Sequence, residues 1–372
     1  MKIKTQQSIL LVGSWPSDTG YAWKMIERFW IAIAKAFPDR HTILCYPEIR
    51  TVNPEIVAAG IEVTELSFNF CNVATLTQFC TDHKVGVIYL TDRPYTSALY
   101  PWLRRCGVER IIIHDHTPGQ RTPPSAIKRS FKRLRARFFG ADDYIASSEH
   151  VLNRLMTVGC IPASRCHLAR NGLDLSQFPQ PNPTIRHELG LHPETVLAVS
   201  SSRLTPYKRV NDIVDAAALV SDTNLHFIHI GDGPELDSLK TLIRKHRIAD
   251  RFTLLGRRDD VARILADCDI GIHASEGEVG LCLAILEFMA TGLALAVTNE
   301  PSVSAIIEPR VTGLTYAHGD SAALAGVLRK LASNPDLRKR LGTAARMMVH
   351  SHYGIEETIA AVIHAVQSSL SR

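Results

Sequence analysis

Short, nearly unbroken apolar runs alternate with longer segments of helical periodicity along the whole chain. Ser8 to Val12, Thr42 to Cys45, Ile61 to Leu66, Val85 to Leu90, Arg110 to Ile113 and Tyr144 to Ala146 predict strands, each closed by a polar or glycine-containing turn. Because these runs lack a polar alternate face, they suit parallel strands covered on both sides. The stretches between them, such as Ala22 to Phe37 and Glu149 to Val158, are long enough for crossover helices. The class predicted is α/β, doubly wound.

The pattern breaks at Phe178-Pro179-Gln180-Pro181-Asn182-Pro183, where alternate prolines remove amide donors and hold the preceding residues extended. An interdomain linker is expected there. Strands then resume at Val196 to Ser200, Leu225 to Ile230, Phe252 to Leu255, Ile270 to His273 and Ala294 to Thr298. The expected organisation is an N-terminal Rossmann-like domain over 1–178, a second one over 184–350, and a terminal helix in 351–372 packing back towards the first. No repeat or low-complexity tract interrupts it.

Composition adds limits. A chain of 372 residues exceeds the roughly 250–300 at which one core stops growing, so two lobes facing a cleft are expected. With 45% hydrophobic and 21% charged residues, disordered and fibrous classes are excluded. The early run Ile9 to Gly13 is far shorter than the roughly 20 residues of a membrane span, so a cytoplasmic location is expected. The 8 cysteines include no CxxC pair, which argues against a disulfide framework or zinc ribbon and for reduced, mostly buried thiols. Net charge is only +5, yet no acid lies between Asp115 and Asp142 while Arg121, Lys128, Arg129, Lys132, Arg133, Arg135 and Arg137 do.

Candidate chemistry is densest in the second lobe. Ser201-Ser202-Arg203-Leu204-Thr205-Pro206-Tyr207-Lys208-Arg209 leaves a strand end, which is where ligands bind in open α/β sheets. Arg203 can fork onto two phosphate oxygens and Lys208 can add a point charge, although a solvated basic loop reads the same way. Gly231-Asp232-Gly233-Pro234-Glu235 permits a close approach or a tight turn. Ser275-Glu276-Gly277-Glu278-Val279-Gly280-Leu281-Cys282 runs into a helix whose free N–H groups and dipole attract an anion. Glu287, deeper in that helix, can accept two hydrogen bonds from a vicinal diol; buried, it needs such a diol or an internal cation.

In this order and spacing the motifs resemble the nucleotide-binding lobe of the GT-B glycosyltransferases of family 4, retaining enzymes that use a sugar nucleotide. Leu255-Gly256-Arg257, Ala290-Thr291-Gly292 and Thr312-Gly313-Leu314 extend the match. The resemblance implies that Arg203 and Lys208 hold the donor diphosphate, Glu287 the ribose, Glu278 a hydroxyl of the donor sugar, and the backbone of Gly280, Leu281 and Cys282 the sugar and phosphate. It also places Gly231, Gly233 and Arg257 in the donor site. One departure is visible: Glu278 and Glu287 enclose eight residues where the family pattern encloses seven, the strict position being Val279.

In the first lobe, Gly13-Ser14-Trp15-Pro16-Ser17-Asp18-Thr19-Gly20-Tyr21 follows the first strand without GxGxxG spacing; the resemblance sets Gly20 against donor and acceptor. Ser147-Ser148-Glu149 and Asn171-Gly172-Leu173-Asp174 look like the family's end-of-lobe turns. His114-Asp115-His116-Thr117-Pro118 suggests a metal site at first sight, but strand alternation puts the histidines on one face and Asp115 on the other. His116 resembles the family's histidine facing the reacting sugar, with a satisfied structural histidine as the other reading. No DxD closes a strand, in keeping with the metal independence that the resemblance implies, and no separate cofactor is expected.

The basic stretch fits a helix with Ile127, Phe131, Leu134 and Phe138 on one stripe. Such a segment, from Ile127 to Phe138, suits an anionic membrane surface, or an ordinary helix whose stripe faces its own core. Nucleic acid is not expected, since no aromatic platform accompanies the charge. The resemblance as a whole implies a hexosyltransferase moving a sugar from a UDP- or GDP-linked donor to a glycan or lipid-linked hydroxyl acceptor. A sugar-nucleotide epimerase of the same fold and a catalytically silent nucleotide-binding subunit are the alternatives.

Overall fold

Burial on both faces makes the apolar runs parallel strands. The computed structural model describes residues 7–18, 22–119, 121–178 and 185–372. Gly20, and the expected linker from Pro179 on, lie outside them. The chain forms two compact units: one runs to Thr117 and takes in Arg121–Arg170 and Glu357–Arg372, the other takes in Pro118–Gln120 and Asn171–Glu356.

In the first unit, β1 (Ser8–Val12), β2 (Thr42–Tyr46), β3 (Glu62–Glu65), β4 (Val85–Thr91), β5 (Arg110–Asp115), β6 (Asp143–Ala146) and β7 (Cys166–Leu168) form a parallel sheet in the order β3-β2-β1-β4-β5-β6-β7. Every residue of β1, β2 and β4 is buried, whereas the edge strands β3 and β7 are partly exposed. Ser148, at the start of helix Glu149–Thr157, caps it by accepting from Val151 N at 3.2 Å. The final helix, Ile355–Leu370, belongs largely to this unit: Ser369 Oγ donates to buried Asp143 at 2.6 Å and Thr358 Oγ1 to the Arg170 carbonyl at 2.7 Å.

In the second unit, β8 (Val196–Ser201), β9 (Leu225–Ile230), β10 (Phe252–Gly256), β11 (Ile270–His273), β12 (Ala294–Thr298) and β13 (Gly313–Tyr316) are ordered β10-β9-β8-β11-β12-β13, again all parallel. Strand alternation splits its apolar side chains between two cores. Val196, Ala198, Phe227, Ile270 and Ala296 face one, and Leu197, Val199, Ile228, Leu295 and Val297 face the other. Both sheets reverse their winding beside their first strand, between β1 and β4 and between β8 and β11. This is the place where doubly wound sheets bind ligands.

Two strands were not legible in the pattern. β7 is three residues, and β13 opens on a glycine; both are edge strands whose pairing is decided by the neighbour. Of the cysteines, Cys45, Cys80, Cys160 and Cys282 are buried, Cys106, Cys166 and Cys268 partly so, and Cys71 is exposed, so burial is less general than expected; all are free thiols. The reading in which the basic helix turns its apolar stripe to its own core is overturned. In helix Ala126–Phe139 only Ala136 is buried.

Candidate functional site

Three loops leave the adjacent strands β9, β8 and β11 of the second unit, and their backbones are tied together. Leu204 N donates to the Asp232 carbonyl at 2.9 Å and Glu276 N to the Tyr207 carbonyl at 3.0 Å. Gly231 and Gly233 allow the first of these contacts: a Cβ at Gly231 would meet the Ser202 carbonyl at 1.9 Å, and one at Gly233 the Leu204 carbonyl at 2.4 Å. These glycines press the β9 loop onto the β8 loop. Arg209 takes up a left-handed backbone (φ 50°) and binds Asp212 at 2.7 Å and Glu276 at 3.2 Å, fixing the β8 loop to the β11 loop.

Lys208 and Glu278 meet in a buried ion pair. His273, the last residue of β11, donates from Nε2 to the same carboxylate oxygen at 3.0 Å, and Cys282 Sγ lies 3.7 Å from that ring nitrogen. Burial opposes each of these charges, but the partners outweigh it. Glu278 falls to about 2 through the His273 hydrogen bond and the Lys208 charge. Lys208 is raised above the ordinary lysine range by Glu278, and the Arg203 charge, close enough to act on it, pulls the other way. His273 rises to about 9 through Cys282 and Glu278. Two positive side chains, one half-buried and one exposed on its loop, are thus held near one strand end.

His273 was not singled out by the sequence, because a lone histidine ending an apolar run gives no sign that an acid five residues on will turn back to it. Its charge state has a measurable consequence. Since its pKa is raised from 6.5 to about 9, its stabilisation is complete below pH 6.5 and is lost as pH rises through about 9. Glu278, lowered from 4.5 to about 2, loses its contribution only as pH falls through that range. Urea unfolding should therefore show stability declining across the alkaline interval, and His273→Gln should flatten the decline. An unchanged slope in the variant would show that His273 is not charged in the fold.

The turn before helix Leu283–Thr291 is set by side chains. Glu278 N donates to Ser302 Oγ at 2.9 Å, and Ser302 N to Glu300 at 2.9 Å, so the start of helix Pro301–Ser304 anchors the slipped glutamate. Gly280 has φ 85°, and Leu281 and Cys282 are buried. Helix Leu283–Thr291 follows, with Cys282 at its N-cap and Glu287 buried at 4% exposure. Arg257 follows β10, next to Gly256, whose carbonyl accepts from Gly231 N at 2.8 Å, and its side chain is exposed. Among the described residues His273, Glu278 and Cys282 could hold a metal ion, their ligand atoms lying within 4.8 Å of one another. The Lys208 ammonium already lies on that carboxylate and would have to be displaced.

In the first unit, His116 follows β5; its backbone N donates to Asp92 at 2.6 Å and its ring lies 4.0 Å from that of His114. Burial raises Asp92 to about 7, against the His116 amide bond. Asp115 points elsewhere and pairs with Arg154 at 3.1 Å. Ser147 Oγ ties the end of β6 to β5 by donating to the Asp115 carbonyl at 2.9 Å, while Ser148 and Asp174 act as caps, Asp174 accepting from Ser176 N at 3.1 Å.

Residues 181–348 match the family model of glycosyl transferases group 1. The match takes in less than half of the chain. Superposition on solved structures gives the chain the GT-B fold. N-acetyl-alpha-D-glucosaminyl L-malate synthase of Bacillus anthracis is 29% identical over 177 residues, 47% of this chain and 46% of its own. The UDP-Gal:alpha-D-GlcNAc-diphosphoundecaprenol alpha-1,3-galactosyltransferase of Escherichia coli is 31% identical over 158 residues, 40% of this chain and 41% of its own. The chain thus spans less than half the length of either relative. The Anabaena protein HepE, solved with UDP and glucose, superposes with a TM-score of 0.75 at 20% identity, covering 98% of this chain and 100% of its own.

Proposed function

We propose that the chain is a cytoplasmic, metal-independent hexosyltransferase that moves a sugar from a UDP- or GDP-linked donor to a hydroxyl of a glycan or lipid-linked acceptor, with retention at the anomeric carbon. The carrying observation is the Lys208–Glu278 ion pair, which joins the loop after β8 to the segment leading into helix Leu283–Thr291, with Arg203 exposed on the same β8 loop. In this reading the two cations and the free N–H groups of the helix take the diphosphate, whose charge grows as the glycosidic bond to phosphate breaks. Lys208 swings from Glu278 to the phosphate and leaves that carboxylate to a donor-sugar hydroxyl. Glu287 holds the ribose.

The bond between the anomeric carbon and the phosphate oxygen breaks with its electron pair on the leaving diphosphate. The acceptor oxygen bonds to that carbon from the same face, and its proton passes to the departing phosphate. No protein nucleophile is needed. The UDP and glucose of the solved neighbour, and the UDP-galactose donor and diphosphoundecaprenol acceptor named for the Escherichia coli relative, support a UDP donor and a lipid-linked acceptor.

Melting curves with UDP, GDP and ADP in turn test the donor half of this reading. A diphosphate that binds only the folded state stabilises it by roughly 2.7 kcal/mol at a hundredfold excess over its Kd. One of the three, with UDP expected, should raise Tm well above the others. No rise with any of them would remove the sugar-nucleotide reading.

A further inference from the structure

Helix Ala126–Phe139 presents an apolar ridge to solvent. Ile127 is 86% exposed, Phe131 67%, Leu134 56% and Phe138 59%. At about 100° per residue these four fall within an arc of about 60°, and Ala136, the buried position, lies about 170° round from its centre. The ridge therefore points straight away from the body of its own unit. Lys128 and Arg135 flank it on one side and Arg137 on the other, all exposed. Lys132, also exposed, lies further round the helix and its Nζ donates to the Val158 carbonyl at 2.9 Å.

We propose that this helix lies on an anionic lipid bilayer, with the ridge between the acyl chains and the flanking cations on phosphate head groups. The charge pattern selects this occupant. A second copy of the helix would bring two clusters of cations together with no acid between Asp115 and Asp142 to answer them. A nucleic acid would meet the cations but leave the apolar ridge against water or phosphate. A bilayer answers both, because apolar side chains enter the acyl boundary while lysine and arginine keep their heads at the surface. Contact from the surface is the available mode, since no helix among the described residues is long and apolar enough to cross a membrane. The inference does not depend on which sugar is moved.

Co-sedimentation of the full chain with phosphatidylcholine vesicles, with and without phosphatidylglycerol, is the test. Binding to the anionic vesicles is expected to be at least about tenfold tighter and to weaken with salt. Phe131→Ser with Phe138→Ser should lose at least about tenfold of it at unchanged Tm, since both rings are already in water. Lys128→Ser with Arg135→Ser should reduce the preference for anionic lipid. The proposal is overturned if the wild type ignores both vesicles or binds them equally, or if the phenylalanine variant binds as the wild type does. It is overturned too by a dimer that the phenylalanine variant dissociates, or by duplex DNA binding in the absence of vesicle binding.

Discussion

Lys208→Ala should lower sugar transfer by at least about a hundredfold, the scale of removing one preorganised group that stabilises developing charge. Its ammonium is half-buried and held at the strand end by Glu278, from which it has only to pass to the phosphate. Arg203, exposed on the same loop, is freer to be replaced by solvent and should cost less. The same change removes one partner of the Glu278 carboxylate. Because the charged His273 remains at 3.0 Å, the fall in stability should stay below the roughly 3–5 kcal/mol seen when a buried charge loses its only partner. Turnover of a nucleotide sugar with an acceptor extract, read as released diphosphate, measures the first effect, and urea unfolding the second. Lys208→Arg separates them, since it keeps the charge but not the compact ammonium that fits beside Glu278. Transfer at the wild-type rate in Lys208→Ala would end the assignment of this site.

The largest effect on stability is expected in the first unit, from Arg154→Met. The Asp115–Arg154 pair is 3.1 Å apart, with side chains 2% and 3% exposed. Arg154 also donates to the Thr117 carbonyl at 2.7 Å and to Thr117 Oγ1 at 2.9 Å, binding the segment after β5 to helix Glu149–Thr157. Burial opposes the charge on Asp115, but Arg154 and the Thr117 hydrogen bonds hold its carboxyl below the usual carboxylate range. Without the guanidinium, the buried carboxylate loses its counter-charge and keeps only the hydrogen bonds from Thr117 and Tyr95, at a cost of up to about 3–5 kcal/mol. Without that counter-charge burial weighs more heavily and the Asp115 pKa rises above its wild-type position, so the deficit is full at neutral pH and shrinks as pH falls and the group protonates. Denaturant midpoints of variant and wild type across acid pH should therefore converge, and parallel curves would refute this account.

The fold was largely legible because its signal is local. Strands buried on both faces must be apolar at successive positions, and β1, β9, β11 and β12 fall where the apolar runs lie. The short edge strands β7 and β13 were not legible, since their residues carry little apolar periodicity and gain strand geometry from a partner. In the site, Arg203 and Lys208 could be named from one loop next to one strand end. The partner of Lys208 could not. His273 and Ser302 converge on Glu278 from other strands and helices, and Gly231 and Gly233 owe their presence to the backbone of a neighbouring loop.

By itself the sequence determined which segments are strands, that they wind as parallel α/β lobes, and where the cations and glycines stand along them. Those features follow from hydrophobic period and backbone chemistry within a few residues. Only the tertiary structure decided the outward aim of the Ile127 to Phe138 stripe, the pairing of Asp115 with Arg154, and the sharing of the Glu278 carboxylate by Lys208 and His273. A helical stripe has the same period whether it meets a core or water, and a charge finds its partner across distances that a linear pattern does not encode.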